Sequence, residues 1–419
     1  MINNISEFRR DFVIKIEPQT IDELMDWISS ISDAEGPGTT RLLYSPSWIE
    51  AQHALKAKFE ALGMTTEFDA VGNLYATIEG TETPDEIIAT GSHVDTVVKG
   101  GRLDGQLGIM SSYMAIKALL ETEGKPKKSL QIISMAEEEG SRFPYAFWGS
   151  KNIFGLADRA DVEEIADGEG VKFVDAMHDA GFDFQDKPTH NKLSAFIELH
   201  IEQGNFLEQT KKQVGVVNAI VGQKRYTITL KGEANHAGTT LMEYRKDTVE
   251  AASRMIVQAI DKAKAEGNPL VLTFGRVEPK PNTVNVVPGE TLFSMDCRHT
   301  DASILDRFTK EIENDMKQIA SDMGIEITID NWMDEKPVPM DANIIDTIEA
   351  VCKDNDLNYQ VMHSGAGHDS QIFAAHVPTG MIFVPSIKGI SHNPAEHTEA
   401  VDIVQGIEAL GETLRRLAY

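Results

Sequence analysis

The chain has 419 residues, with 39 Lys or Arg against 66 Asp or Glu, and a formal net charge of −27. Such an acidic balance argues against a nucleic-acid or anionic-membrane partner, since both need basic patches. The two cysteines, Cys297 and Cys352, offer no disulfide framework, so both read as small core hydrophobes in a reducing, cytoplasmic setting.

Met1 opens onto Asn3, Glu7, Arg9 and Asp11 without a long apolar stretch, so no signal peptide is expected. No apolar run approaches the ~20 residues of a membrane span. Helical spacing runs over 21–31 and 47–62, the second opened by Ser45-Pro46-Ser47. Strands over 66–71 and 73–78 turn at Gly72-Asn73. Ile87-Ile88-Ala89 then reads as a buried strand that stops at Gly91. Just past it stand His93, Asp95 and, behind a turn at Gly100-Gly101, Asp104. Ligands of an open α/β sheet bind outside the carboxyl ends of its strands. Imidazole and carboxylate there suit zinc or a similar divalent ion; a capped loop with Asx turns is the plainer alternative.

A helix over 107–122 and a strand over 130–136 follow, the strand ending in Glu137-Glu138-Glu139. At a strand end only some of three consecutive acids can face one way. One carboxylate can therefore bind metal while its neighbour handles a proton. The strand over 195–199 delivers His200, followed by Glu202, Gln203 and Gly204. Glu198 and Glu202 fit equally as partners of the ligands or as surface acids. Alternating strands and helices argue for a three-layer α/β domain.

From about Asn218 the pattern changes. Strand 225–231, helix 248–265, strands 270–276 and 290–298, helix 302–323 and strand 325–332 spell β-α-β-β-α-β, the ferredoxin-like order. Asp334-Glu335-Lys336-Pro337 reads as a linker. A helix over 342–352, a strand over 359–363, a helix from His368 and a strand over 381–384 resume the first pattern. We therefore expect an α/β domain made of 1–217 and 333–419, interrupted by an inserted α+β domain over 218–332. After the 381–384 strand comes His392. A lone His is commonly structural, but a third imidazole in the same strand-end setting favours metal. The final helix, 398–417, reads as packing.

Taken together, His93, Asp95, Asp104, Glu138, Glu139, His200 and His392 resemble the set of the dinuclear M20-type amidohydrolases and peptidases. Four longer strings resemble its hydantoinase/carbamoylase branch, which hydrolyses carbamoyl and ureido groups. They are Glu138-Glu139-Gly140-Ser141-Arg142-Phe143, Glu198-Leu199-His200-Ile201-Glu202-Gln203-Gly204, Asn235-His236-Ala237-Gly238-Thr239 and Ser364-Gly365-Ala366-Gly367-His368-Asp369. The match covers nearly the whole chain. The 40–46, 147–154 and 281–288 stretches point within that branch to allantoate as substrate, with N-carbamoyl-L-amino acids and ureidoglycolate as alternatives.

The resemblance implies two divalent ions per subunit, zinc or manganese, since imidazole and carboxylate suit both. Asp104 would bridge them, Glu139 and His392 completing one site and His93 and His200 the other. Asp95 would orient His93, and Glu138 would be the general base on the water held between the ions. Peptidase members usually carry an acid where His200 stands, which favours the carbamoyl-hydrolysing branch. The resemblance also implies a homodimer through the inserted domain, which acts as a lid, so His236 can serve across the subunit boundary.

The chemistry is consistent on its own terms. A ureido carbon is a poor electrophile because nitrogen lone pairs feed it from both sides. Two metals lower the pKa of a shared water and polarise the carbonyl. Glu138 takes the proton and returns it to the departing nitrogen. The developing oxyanion needs a further donor, for which His236 is the candidate; a loop His making turn hydrogen bonds is the alternative. A substrate carboxylate calls for Arg298, whose guanidinium pairs with it bidentately. By resemblance Arg225 and Asn285 join it, with Gln203 nearby. An aminoacylase or dipeptidase, or a non-catalytic metal scaffold, fits less well, because a scaffold has no use for Glu138.

Overall fold

The computed structural model describes residues 14–185, 187–189 and 192–419; the opening segment read above for a signal peptide lies outside them. Two compact units emerge, one running up to Asn218 and resuming from Met340 to Tyr419, the other spanning Ala219–Pro339. The return to the first unit comes later than 333. The strand Glu326–Glu335 continues through Asp334 and Glu335, which pair with Lys224 and Gln223. Half of the expected linker is therefore sheet.

The first unit is built on a mixed sheet. Its strands lie in the order Thr65–Phe68, Leu74–Ile78, Lys128–Met135, Thr83–His93, Leu193–Ile201, Thr379–Val384 and Val214–Ile220. The middle four are mutually parallel, while the flanking pairings are antiparallel. Parallel strands carry all their carboxyl ends to one edge. That edge receives His93, the acids after Met135, His200 and the loop after Val384.

Alternate residues of the inner strands enter two separate cores. Leu130, Ile132, Ile197 and Leu199 join one, while Ile133, Met135 and Phe196 join the other. The helices Gln106–Thr122 and Ala400–Ala418 feed Leu107, Leu119, Leu410 and Leu414 to the first core. Ile153, Phe154 and Phe373 cover the opposite face. Burial on both faces is why these strands read as unbroken apolar runs.

Differences from the sequence reading have local causes. The strand expected over 66–71 stops at Phe68, because Asp69 Oδ1 accepts the backbone N–H groups of Val71, Gly72 and Asn73 and ties a turn. The helix expected from His368 shrinks to Ser370–Phe373. The last helix starts at Ala400, since the Thr398 hydroxyl is engaged with the Pro385 carbonyl at 2.7 Å. Trp148–Ile153, Arg159–Val162, Phe173–Asp179 and Phe206–Thr210 are helices too short to show a period.

The second unit has strands Gly222–Lys231, Glu290–His299 and Glu326–Glu335, an edge formed by Val271–Thr273 and Val277–Lys280, and helices Thr248–Glu266 and Ala302–Asp322. The edge pieces pair with Glu290–His299, which pairs with Gly222–Lys231, which pairs with Glu326–Glu335, all antiparallel. This is the ferredoxin-like order. The strand expected over 270–276 is split. Thr273 faces Asp296 and Val277 faces Phe293, four steps against three, so one extra residue bulges around Gly275. Along Glu290–His299 burial alternates, with Phe293, Met295 and Cys297 turned to the core. Both cysteines are buried free thiols. Among the described residues no helix is long and apolar enough to cross a membrane.

Candidate metal centre

All five residues expected as ligands meet at the carboxyl edge of the first unit's sheet. Asp104 is the centre. Its Oδ1 lies 3.6 Å from His93 Nε2 and 3.2 Å from His200 Nε2. Its Oδ2 lies 3.3 Å from His392 Nε2, which is also 3.4 Å from Glu139 Oε1. The two oxygens of one carboxylate thus belong to two ligand groups, His93–Asp104–His200 and Asp104–Glu139–His392. A third group, His93, Glu138 and Glu139, places Glu138 beside them.

The local chain explains why these side chains converge. Gly105, at φ 67°, is the turn between Asp104 and the helix Gln106–Thr122, and a Cβ there would lie 2.3 Å from the His93 ring. Only glycine lets the Asp104 loop close over His93. Gln203 at φ 58° and His392 at φ 54° hold the left-handed region, uncommon for residues with a Cβ. Both aim at Asp104, Gln203 Nε2 donating to Oδ2 at 3.0 Å. Gln203 is thus beside the candidate metal ligands.

The ring nitrogens are sorted by their second partners. His93 Nδ1 meets the Asp95 carbonyl at 3.0 Å, and His200 Nδ1 meets the Ile201 carbonyl at 2.9 Å. With Nδ1 of each ring turned to a carbonyl, each Nε2 faces Asp104, as an N–H where the ring is charged and as a lone pair where it is neutral. The Asp95 carboxylate lies 3.3 Å from His93 Nδ1, and it also accepts two backbone N–H groups. Oδ1 accepts the Glu138 N–H and Oδ2 the Glu139 N–H, each at 3.1 Å. Asp95 therefore couples the His93 strand end to the paired acids. Glu137 is buried beside the Asp95 carboxylate and accepts the Gly140 N–H.

The charges of this cluster act strongly on one another. Burial would raise Asp104, but hydrogen bonds from the His200, His392 and His93 imidazoles hold it well below the usual carboxylate range. Burial would lower His93, yet Asp95 and Asp104 lift it well above its ordinary value. The Asp104 hydrogen bond pushes His392 up to about 9. Burial, then the Asp104 charge, pushes Glu139 up to about 7, and burial raises Glu138 well above the carboxylate range. Protons here do the work of a cation. Glu139 Oε1 is buried with no hydrogen-bond partner among the described residues. Orphaned carboxylate oxygen, oriented imidazoles and a shared Asp104 fit divalent-metal binding.

Sequence reasoning left Glu198 and Glu202 open; neither is a surface acid. Glu198 accepts from the Ser92 and Ser370 hydroxyls, at 2.7 and 2.6 Å. Glu202 takes the Phe206 and Leu207 N–H groups at the start of a short helix. His368 is buried, 3.0 Å from the Ser364 hydroxyl, and burial beside His200 holds it well below its ordinary value, hence neutral. Two residues escaped the sequence reading. Ser391 donates to Asp104 Oδ2 at 2.9 Å, and Glu396 accepts the Leu103 and Asp104 N–H groups. The sole hint was the Gly100-Gly101 turn.

The remaining expected residues lie on the second unit. His236 is exposed on a two-stranded ribbon opposite Val286, and the Ala237 N–H donates to the Asn285 carbonyl at 3.0 Å, so His236 and Asn285 are neighbours. His236 Nδ1 accepts the Gly238 N–H at 3.1 Å. A neutral ring in that state carries its proton on Nε2, which is then a donor. Arg225 and Arg298 both bind the Asp296 carboxylate, Nε to oxygen at 2.9 Å in each case.

The model of peptidase family M20/M25/M40 matches residues 89–416. The chain is 56% identical over 403 residues to the allantoate amidohydrolase of Escherichia coli (strain K12), covering 96% of this chain and 98% of that one. It is 42% identical to the allantoate amidohydrolase of Bacillus subtilis (strain 168), with the same coverage. The crystal structure of a hydantoinase/carbamoylase family amidase from Burkholderia multivorans superposes with a TM-score of 0.92 at 28% identity, covering 97% of this chain and 98% of that chain.

Proposed function

From its membership of peptidase family M20/M25/M40, to which the chain belongs, we propose that it is an amidohydrolase acting on allantoate. It would hydrolyse one ureido group to give ureidoglycine, ammonia and carbon dioxide. The observation that carries the chemistry is the Asp104 carboxylate divided between two ligand groups with Glu138 alongside. The substrate is supported by the relatives named allantoate amidohydrolase.

Asp104 with His93 and His200 would hold one divalent ion, and Asp104 with Glu139 and His392 the other. Such a pair, when bound, supplies an acidified water and polarises the ureido carbonyl. Glu138 takes the proton of the attacking water and delivers it to the leaving nitrogen; its raised proton affinity suits that exchange. Asp95 holds the Glu138 and Glu139 backbone in place. His236, with Nε2–H available, is the proposed donor to the developing oxyanion. Arg298 and Arg225, set by Asp296, and Asn285 are proposed to read the substrate carboxylate, with Gln203 at the ion-facing end. We further propose a cytoplasmic homodimer formed through the second unit, which acts as its lid.

The test is ammonia release from allantoate by purified protein loaded with zinc or manganese. No release with either metal rejects the reading. Faster turnover of ureidoglycolate or an N-carbamoyl-L-amino acid in the same assay would keep the mechanism and change the substrate.

A further inference from the structure

We propose that Glu396 is a positioning residue that sets Asp104 between its two ligand groups. Glu396 lies on the same loop as His392, far along the chain from Asp104, and is 5% exposed. Its Oε1 accepts the backbone N–H of Leu103 at 2.8 Å and of Asp104 at 3.0 Å. Its Oε2 lies 3.2 Å from the Ser391 hydroxyl, which donates to Asp104 Oδ2 at 2.9 Å. One buried side chain therefore holds the Asp104 backbone through two N–H donors, and it shares with Asp104 Oδ2 the single proton of the Ser391 hydroxyl, which lies within reach of both carboxylates. It does so from the segment that also carries His392.

The approach is close. A Cβ at Gly101 would lie 2.1 Å from Glu396 Oε1, so Gly101 leaves the room that Glu396 occupies. What Glu396 fixes is the distance between Asp104 Oδ2 and the His392–Glu139 side. The Oδ1 side is held independently by the His93 and His200 strands. Loss of Glu396 should therefore weaken the Oδ2 position and spare the other.

The acceptor matters more than the charge. An amide at 396 keeps a carbonyl oxygen for the two backbone N–H groups. Its NH2 can donate to Ser391 Oγ, leaving that hydroxyl free to donate to Asp104. Alanine leaves two buried N–H groups without an acceptor.

The inference rests on the two-ion reading above, and the experiment separates the two. Full-length protein is stripped, then titrated with Mn2+ or Zn2+, and metal per chain and affinity are measured alongside thermal stability. Wild type should take two ions. E396A should bind the second on the order of 10- to 100-fold more weakly with the first unchanged, E396Q should match wild type, and G101A, which keeps the carboxylate but displaces it, should behave as E396A. If E396A does not fold, G101A decides. A wild type that takes no second ion overturns the two-ion reading and this inference with it. A two-ion wild type with E396A or G101A binding both ions equally well overturns this inference alone, as does E396Q binding as weakly as E396A.

Discussion

Glu138 and Glu139 are neighbours in sequence yet are proposed for different tasks. Glu139 joins Asp104 and His392, while Glu138 groups with His93 and Glu139. Glu138→Gln removes the proton acceptor and keeps the shape. Metal content should stay at the wild-type level while kcat falls on the order of 10^2- to 10^4-fold. Wild-type turnover in that variant would take Glu138 out of the mechanism. The protons stored in the cluster give a second prediction. Glu139 at about 7 and His392 at about 9 both bind protons more tightly in the folded chain than in the unfolded one. For both, the stabilising contribution is greatest at low pH and declines as pH rises, through about 7 for Glu139 and about 9 for His392. Asp104, shifted the other way, loses its contribution only below the ordinary carboxylate range. The melting temperature of metal-free protein should therefore fall between about pH 5 and about pH 9. Ions that displace these protons should reverse the trend, with affinity rising as pH rises. A metal-free melting temperature that climbs across the same interval would contradict this account.

At the scale of elements, the edge is tied together by Arg41, which has no exposed surface. Its guanidinium donates to the Ile28 and Ile31 carbonyls at the end of the helix Pro18–Ser29, to the Val94 carbonyl beside His93, and to the Gln106 side chain at the start of the next helix. Arg41→Met leaves several buried carbonyls without donors and should cost roughly 3 kcal/mol or more, read from urea unfolding of the metal-free protein. A loss below about 1 kcal/mol would mean that other donors replace it. Elements whose signals are local were legible from sequence. The parallel strands announced themselves as apolar runs, and Ser45-Pro46 marked the helix Pro46–Ala61, where the Ser45 side chain accepts the Trp48 N–H. Ligands following strand ends were legible for the same reason. What was not legible depends on distant pairing. Arg41 spends its donors on backbone carbonyls of other elements, and Glu396 reaches a loop 292 residues earlier in the chain. The bulge at Gly275 is a register effect that no single strand displays, and the continuation of strand Glu326–Glu335 into a charged stretch is set by its partner Gly222–Lys231.

For the whole molecule, the division into two units separates the candidate metal ligands from most of the residues proposed to read the substrate, Gln203 excepted. His93, Asp104, Glu138, Glu139, His200 and His392 all belong to the first unit, and Arg225, His236, Asn285 and Arg298 all belong to the second. The chain crosses between them where the Met340 N–H donates to the Asn218 carbonyl at 3.0 Å. These two residues are adjacent, so a short glycine-containing turn can join them and remove 219–339 without stretching the first unit. Its cores involve no residue of the second unit, since the Tyr226, Phe293 and Phe308 cluster is separate. The shortened protein is expected to fold, to bind the same metal as the full chain, and to release no ammonia from allantoate. It should also elute as a monomer where the full chain elutes as a dimer. Metal analysis, ammonia release and size-exclusion chromatography with light scattering test the three parts separately. Loss of metal would place ligands on the excised unit. Retained turnover would remove His236 and Arg298 from their proposed roles, and a shortened protein that is still a dimer would move the subunit contact to the first unit.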